Sequence, residues 1–179
     1  MQGVILIGGE GTRLGSITKN YPKPMLEVAG KPFLIHLINN IKRFGISRIL
    51  LLASHANHIV LDYFKDLKIN DCKIDIIIEK ESLGTGGALI NALDYLDDRF
   101  YCFNGDSIID GNWLSLENLV SEGGDIIVAL TEVTNPSRYG SAILNDSKII
   151  GFEEKKNSSK KNIKNLINGG IYNIKKSVL

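Results

Sequence analysis

A chain of 179 residues is long enough to bury a core and fits a single domain. Its 44% hydrophobic and 23% charged residues are ordinary globular values, which excludes wholesale disorder. With 21 Lys and Arg against 20 Asp and Glu there is no general basic field, so nucleic acid is not the expected partner and any anion site must be local.

The first elements alternate strand and helix. An apolar run at residues 4–7 ends in Gly8-Gly9 and reads as a buried strand. Lys31-Pro32-Phe33 opens a helix whose apolar positions are Leu34, Leu37, Ile38 and Ile41, with Pro32 suited to the first turn and Gly45 to the stop. A second strand is expected at 48–53, a helix at 57–67, a third strand at 73–78, a helix at 85–96 and a fourth strand at 100–103. That order implies an α/β fold with a parallel sheet and helices on both faces. Beyond residue 112 the rhythm changes. A helix at 113–120 and strands at 125–133, 141–144, 148–153 and 167–174 suggest a smaller mixed β part that accepts a second substrate. Residues 155–165, rich in Lys, Asn and Ser, read as a solvated loop.

No apolar run approaches the roughly 20 residues that cross a bilayer. The short run at 3–7 has no basic flank and is too brief for a signal peptide. Cys72 and Cys102 lack CxxC spacing, so reduced thiols in a cytoplasmic protein without a membrane partner are expected.

Ligands of such sheets bind at the carboxyl ends of the strands. Three polar, glycine-containing clusters follow strands directly: Gly8-Gly9, residues 79–87, and Asn104-Gly105-Asp106. The run Gly8, Gly9, Glu10, Gly11, Thr12, Arg13 lets backbone amides surround an anion, and Arg13 adds a guanidinium fork. By itself the run is equally readable as a tight turn, and it matches neither GxxxxGK[ST] nor GxGxxG, which disfavours a P-loop or a dinucleotide site. Pro22-Lys23-Pro24 adds a second cation, on a backbone stiffened from both sides.

The run GGEGTRLGSITKNYPKPM resembles the signature of the sugar-1-phosphate nucleotidyltransferases. LGTGGA at 83–88, NGD at 104–106, RYG at 138–140, EEK at 153–155 and NGG at 168–170 follow in the order found in that family. The resemblance implies a Rossmann-like three-layer nucleotidyltransferase fold, with a nucleotide-binding part at about 1–111 and a sugar-phosphate-binding part at about 112–179. It implies transfer of a nucleotidyl group from a nucleoside triphosphate to a sugar 1-phosphate, with Mg²⁺ as cofactor. Arg13, Lys23 and Asp106 are the catalytic residues it implies, with Asp106 also the metal ligand. Gly8, Gly9, Gly11, Thr12, Arg13, Glu79, Gly84 and Thr85 would bind the nucleotide. Gly140, Glu154, Lys155, Asn168 and Gly169 would bind the sugar phosphate. Asp106 is also readable as a turn former, and Lys155 as a solvated charge.

The attacking phosphate oxygen, with a second pKa near 6, is already ionised at neutral pH, so no general base is required. The chain has only three histidines, none in a matching motif. Relatives in the family usually supply a second metal-coordinating Asp or Asn from a later segment. No carboxylate follows the Asn168 motif in this sequence, so a truncated chain, a one-carboxylate site or a contribution from a second chain, as in a homo-oligomer, are the alternatives.

Glu79 stands where uridylyl- and thymidylyltransferases often have Gln. A carboxylate can accept two hydrogen bonds from guanine N1–H and its exocyclic amine, but only one from uracil N3–H. IEKESLGTGGA, NPSRYG, GFEEK and INGGIY together are most similar to D-glycero-D-manno-heptose 1-phosphate guanylyltransferases of bacterial surface-polysaccharide pathways, so GTP is the favoured nucleotide. Mannose 1-phosphate guanylyltransferases, muramate or N-acetylmuramate 1-phosphate uridylyltransferases, and a noncatalytic nucleotide-sugar-binding domain remain as alternatives.

Overall fold

The computed structural model describes residues 1–8, 21–54, 57–79, 81, 83–134, 140–153 and 165–179. Strand β1 (Gln2–Leu6) lies at the centre of the parallel strands, between β4 (Arg48–Ala53) and β6 (Arg99–Asn104). Outside β4 runs β5 (Lys73–Ile78), also parallel. The short β2 (Glu27–Val28) and β3 (Lys31–Pro32) form a separate antiparallel pair.

Crossover helices α1 (Phe33–Lys42), α2 (Asn57–Phe64) and α3 (Gly84–Asn91) follow β3, β4 and β5. Alternation in the central strands divides their side chains between two layers. Ile5, Ile49, Leu51, Tyr101 and Phe103 pack with Leu34, Leu37, Ile38 and Ile41 of α1 and with Val60 of α2. Val4, Leu50, Leu52, Phe100 and Cys102 pack with Ala88 and Leu89 of α3 on the opposite face. The expected three-layer α/β arrangement is therefore present, because each central strand is apolar on both sides and needs cover on both.

The chain order β1, β4, β5 builds outward, and β6 then returns to the other side of β1. This reversal makes the carboxyl ends of β1 and β6 the topological switch point, where a crevice opens in sheets of this kind.

The later strands join the same sheet. β10 (Leu166–Lys175) lies antiparallel to β6, and both β7 (Ile126–Glu132) and β8 (Ser141–Asn145) pair with β10. β9 (Lys148–Glu153) pairs with β8. The mixed β portion is thus continuous with the central sheet through the β6–β10 ladder.

Several boundaries differ from the periodicity reading; α2, expected at 57–67, ends at Phe64. Pro32 flanks α1 as its N-cap instead of lying in its first turn. The segment expected as one helix at 85–96 leaves α-geometry at Ala92 (φ −98°, ψ 6°) and continues as a 3₁₀ turn, Leu93–Tyr95, which keeps Ala92 and Leu96 against the sheet. The segment at 113–120 likewise divides into a 3₁₀ turn, Trp113–Leu116, and a short helix α4 (Glu117–Ser121). Trp113 decides that geometry: its ring sits 4.7 Å from Phe44, 4.8 Å from Tyr101 and 5.3 Å from Phe103, anchoring the chain beyond Asp106 to the core.

Candidate active site

The switch point carries a cation and an anion brought together across 83 residues of sequence. Lys23 belongs to a single 3₁₀ turn, Lys23–Met25, closed by the Met25 amide donating to the Pro22 carbonyl at 2.8 Å. Pro24 and Met25 are buried, so the turn is held by its apolar side while Lys23 faces outward. Gly105 sets how closely this turn approaches the end of β6. Its amide donates to Leu6 O at 2.9 Å. A Cβ on Gly105 would lie 2.6 Å from Leu6 O, 2.7 Å from Ile7 Cγ2 and 3.2 Å from Pro24 Cγ. Glycine is needed here for close approach, not for its backbone angles.

The result is an ion pair of 2.7 Å from Lys23 Nζ to Asp106 Oδ2, with the two side chains 40% and 39% exposed. The Ser107 hydroxyl donates to Asp106 Oδ1 at 3.0 Å. Burial pushes the Asp106 carboxyl up, but the Lys23 hydrogen bond and charge, the Ser107 hydroxyl and the backbone amide of Asp106 outweigh it. The group is held below the usual carboxylate value.

A second feature lies at the ends of β1, β4 and β5. A cavity of about 140 Å³ is lined by Leu6, Gly8, Leu52, Glu79, Gly84, Thr85 and Ala88. Gly8 is pinned to the end of β4, since the Ser54 hydroxyl donates to its carbonyl at 2.7 Å and a Cβ would lie 2.6 Å from Ser54 Oγ. Gly84 begins α3 at φ +71°, a left-handed conformation that favours glycine. Apolar walls from Leu6, Leu52 and Ala88 suit the faces of a flat ring.

Glu79 is the ionisable group of this cavity, and it is 6% exposed. Its Oε1 is buried without a hydrogen-bond partner among the described residues. Burial raises the Glu79 carboxyl, opposed by a hydrogen bond from the Leu83 backbone. A buried acceptor left unmatched costs free energy, which a ligand donor would recover.

Strand pairing gathers the remaining motifs. Ser141 pairs with Glu153 and with Ile167, so Gly140, the end of β9 and Asn168 become neighbours. The Asn168-Gly169-Gly170 motif is a bulge of β10, where register against β7 shifts between Asn168 and Tyr172. A Cβ on Gly169 would lie 2.3 Å from Ile109 Cδ1 and 3.0 Å from Ala129 O. Gly170, at φ +78°, lies against Asn104, the last residue of β6.

Asn168 is exposed, but its amide is engaged within the bulge. Oδ1 accepts the Gly170 amide at 2.8 Å, and Nδ2 donates to the Tyr172 hydroxyl at 2.8 Å. Sequence reasoning did not single out Tyr172, Ser107 or Ser54. The pair of glycines between Asn168 and Tyr172 was the available signal, because glycine inside a strand marks a bulge.

Gly9, Gly11, Thr12, Arg13, Glu154 and Lys155 lie outside the described residues. Among the described residues, no three His, Cys, Asp or Glu side chains cluster as a metal cage. No described helix is long and apolar enough to cross a membrane. Both cysteines are free, and burial pushes the Cys102 thiol up to about 12.

A lysine–aspartate pair at the switch point and a ring-sized cavity at the neighbouring strand ends are features that suit a nucleotide-binding α/β protein. The nucleotidyl transferase family model matches residues 2–179, and the chain belongs to that family. It is 38% identical over 179 residues to the D-glycero-alpha-D-manno-heptose 1-phosphate guanylyltransferase of Campylobacter jejuni, covering 99% of this chain and 77% of that protein. It is also 38% identical to the bifunctional protein GlmU of Methanocaldococcus jannaschii, again over 99% of this chain but only 41% of that protein. Among solved structures, HddC from Yersinia pseudotuberculosis complexed with GMP-PN superimposes with a TM-score of 0.85 at 36% identity. The match covers 99% of this chain and 77% of that one.

Proposed function

We propose that this chain transfers GMP from GTP to a sugar 1-phosphate, releasing pyrophosphate, with D-glycero-D-manno-heptose 1-phosphate as the favoured acceptor. The observation that carries the reading is Glu79. It is a buried carboxyl in a ring-sized cavity with an unmatched acceptor, which suits guanine's N1–H and exocyclic amine. The guanylyltransferase name of the Campylobacter relative and the GMP-PN complex of the Yersinia structure support the same base.

The chemistry is an in-line displacement at the α-phosphorus. An ionised oxygen of the sugar phosphate forms the new P–O bond, and the bond to the bridging oxygen of the β-phosphate breaks. The electron pair leaves with pyrophosphate. Positioning and charge neutralisation are what the protein must contribute. Lys23, on a turn braced by Pro22, Pro24 and Met25, would place its ammonium between the α-phosphate and the incoming phosphate. In the free protein Asp106 holds that ammonium at the end of β6. The triphosphate supplies competing oxygens and draws Lys23 onto the substrate. Arg13 would hold the β- and γ-phosphates. The β8–β9–β10 side, with Gly140, Asn168 and Gly169, would bind the acceptor together with Glu154 and Lys155.

Asp106 would also hold Mg²⁺. A hard carboxylate kept ionised and partly exposed fits an ion that takes few protein ligands and completes its shell from phosphate and water. When bound, Mg²⁺ would supply neutralisation of the reacting phosphates.

The deciding experiment is a pyrophosphate-release assay crossing GTP, UTP, dTTP, CTP and ATP with heptose, mannose, glucose and N-acetylhexosamine 1-phosphates in Mg²⁺. GTP with heptose 1-phosphate is expected to give the highest kcat/KM. Silence across the panel overturns the reading, and turnover with UTP but not GTP overturns the role given to Glu79.

A further inference from the structure

The mechanism leaves Tyr172 unused, though it belongs to a polar network at the bulge of β10. The Tyr172 hydroxyl accepts a hydrogen bond from Asn168 Nδ2 at 2.8 Å. The Asn168 carbonyl oxygen accepts from the Gly170 amide at 2.8 Å. Gly170 is packed so closely on Asn104 that a Cβ would lie 2.8 Å from Asn104 Nδ2. Asn104 stands two residues before Asp106. The Asn168–Tyr172 contact therefore closes the bulge whose Gly170 rests on the strand end that carries the catalytic carboxylate.

On its β7 side the bulge lacks ladder support. Ladder pairing with β7 is interrupted between Asn168 and Tyr172, and the two intervening glycines have no side chains to hold them. Glycine backbone is the most costly to order. The Asn168 amide, aligned by Tyr172, replaces the missing ladder contact at Gly170.

We propose that Tyr172 is a positioning residue for acceptor binding, acting through Asn168 and the Gly169-Gly170 backbone, not through contact with the substrate. The proposal rests on the sugar 1-phosphate reading above. Its consequence is asymmetric: the bulge borders the acceptor side, whereas Glu79, Gly84 and Thr85 line a cavity with which it shares no residue. Removing the hydroxyl loosens the acceptor subsite alone.

The test is Tyr172→Phe, which keeps the ring and its packing. The KM for the sugar 1-phosphate is expected to rise about five- to tenfold, the size of one lost hydrogen bond. KM for the nucleotide and kcat should stay within about twofold. In hydrogen exchange, the Gly170 amide of Tyr172→Phe should exchange faster than in the wild type, while the amides of β1 and β4 do not change. Asn168→Ala should reproduce the KM effect, and the double variant should be no worse than the poorer single one, because both remove the same contact. An unchanged acceptor KM, an unchanged Gly170 exchange rate, or an equal rise in both KM values overturns the proposal while leaving the transferase reading intact. A wild-type chain inactive with every substrate pair overturns both.

Discussion

Replacing Glu79 with Gln isolates base recognition from folding. The carboxylate can accept from guanine N1–H and N2–H₂ together, whereas an amide offers one acceptor and one donor, and the donor opposes a guanine N–H. A hydrogen bond to a charged group contributes about 1.5–3 kcal/mol. At 1.4 kcal/mol per tenfold, kcat/KM for GTP should fall roughly 10- to 150-fold. Uracil presents N3–H beside a carbonyl, which the Gln amide matches, so kcat/KM for UTP should hold or rise. Stability moves the other way. Burial raises the Glu79 carboxyl above its ordinary value, so its favourable, protonated contribution is complete below the unfolded pKa and is lost as pH rises through the folded one. At pH 7 the buried, unmatched carboxylate is a liability, and Glu79→Gln should melt at the same temperature as the wild type or higher. Parallel pyrophosphate-release assays with GTP and UTP, together with thermal melts at pH 4 and pH 7, check both halves. An unchanged GTP-to-UTP preference, or loss of both activities with a lowered melting temperature, refutes the reasoning.

Four further outcomes follow from the same geometry. Lys23→Ala and Asp106→Asn should each lower turnover about 100-fold or more. Both should change stability by only about 0–1 kcal/mol, because the pair is some two-fifths exposed and screened, and turnover beside calorimetry separates these effects. Asp106 is depressed, so its stabilising contribution is present above the unfolded pKa and is lost only as pH falls through the still lower folded value. A decline in kcat/KM as pH drops past about 6 should therefore track protonation of the phosphate substrate and persist in Lys23→Ala, which pH–rate profiles would show. Gly170→Ala forces an L side chain to φ +78° and into Asn104, and should lose at least about 1–2 kcal/mol, or roughly 3–8 °C in Tm. Gly86→Ala, with nothing within 4 Å of the added methyl, should be neutral or stabilising in the same melt.

The sequence by itself determined the layer order of this protein. Apolar runs at β1, β4, β5 and β6, separated by helical periodicity, admit few arrangements other than a parallel sheet covered on both faces, because such strands must bury both sides. It also marked the motif loops, since glycine, proline and charge after a strand are local signals. The tertiary structure decided what those loops do to one another. Lys23 meets Asp106 only because Gly105 lets Pro24 press against the end of β6, a contact between residues more than 80 positions apart that no local pattern encodes. Glu79 became informative when burial left its Oε1 unmatched, and burial is a property of the packed sheet. Asn168, read from sequence as a sugar-phosphate ligand, also hydrogen-bonds Gly170 and Tyr172, a pairing that depends on the register of neighbouring strands around the bulge. Local periodicity is set by the chain's own bond geometry and can be read along it. The partner of a polar side chain is set by long-range pairing, and appears only when the sheet closes around it.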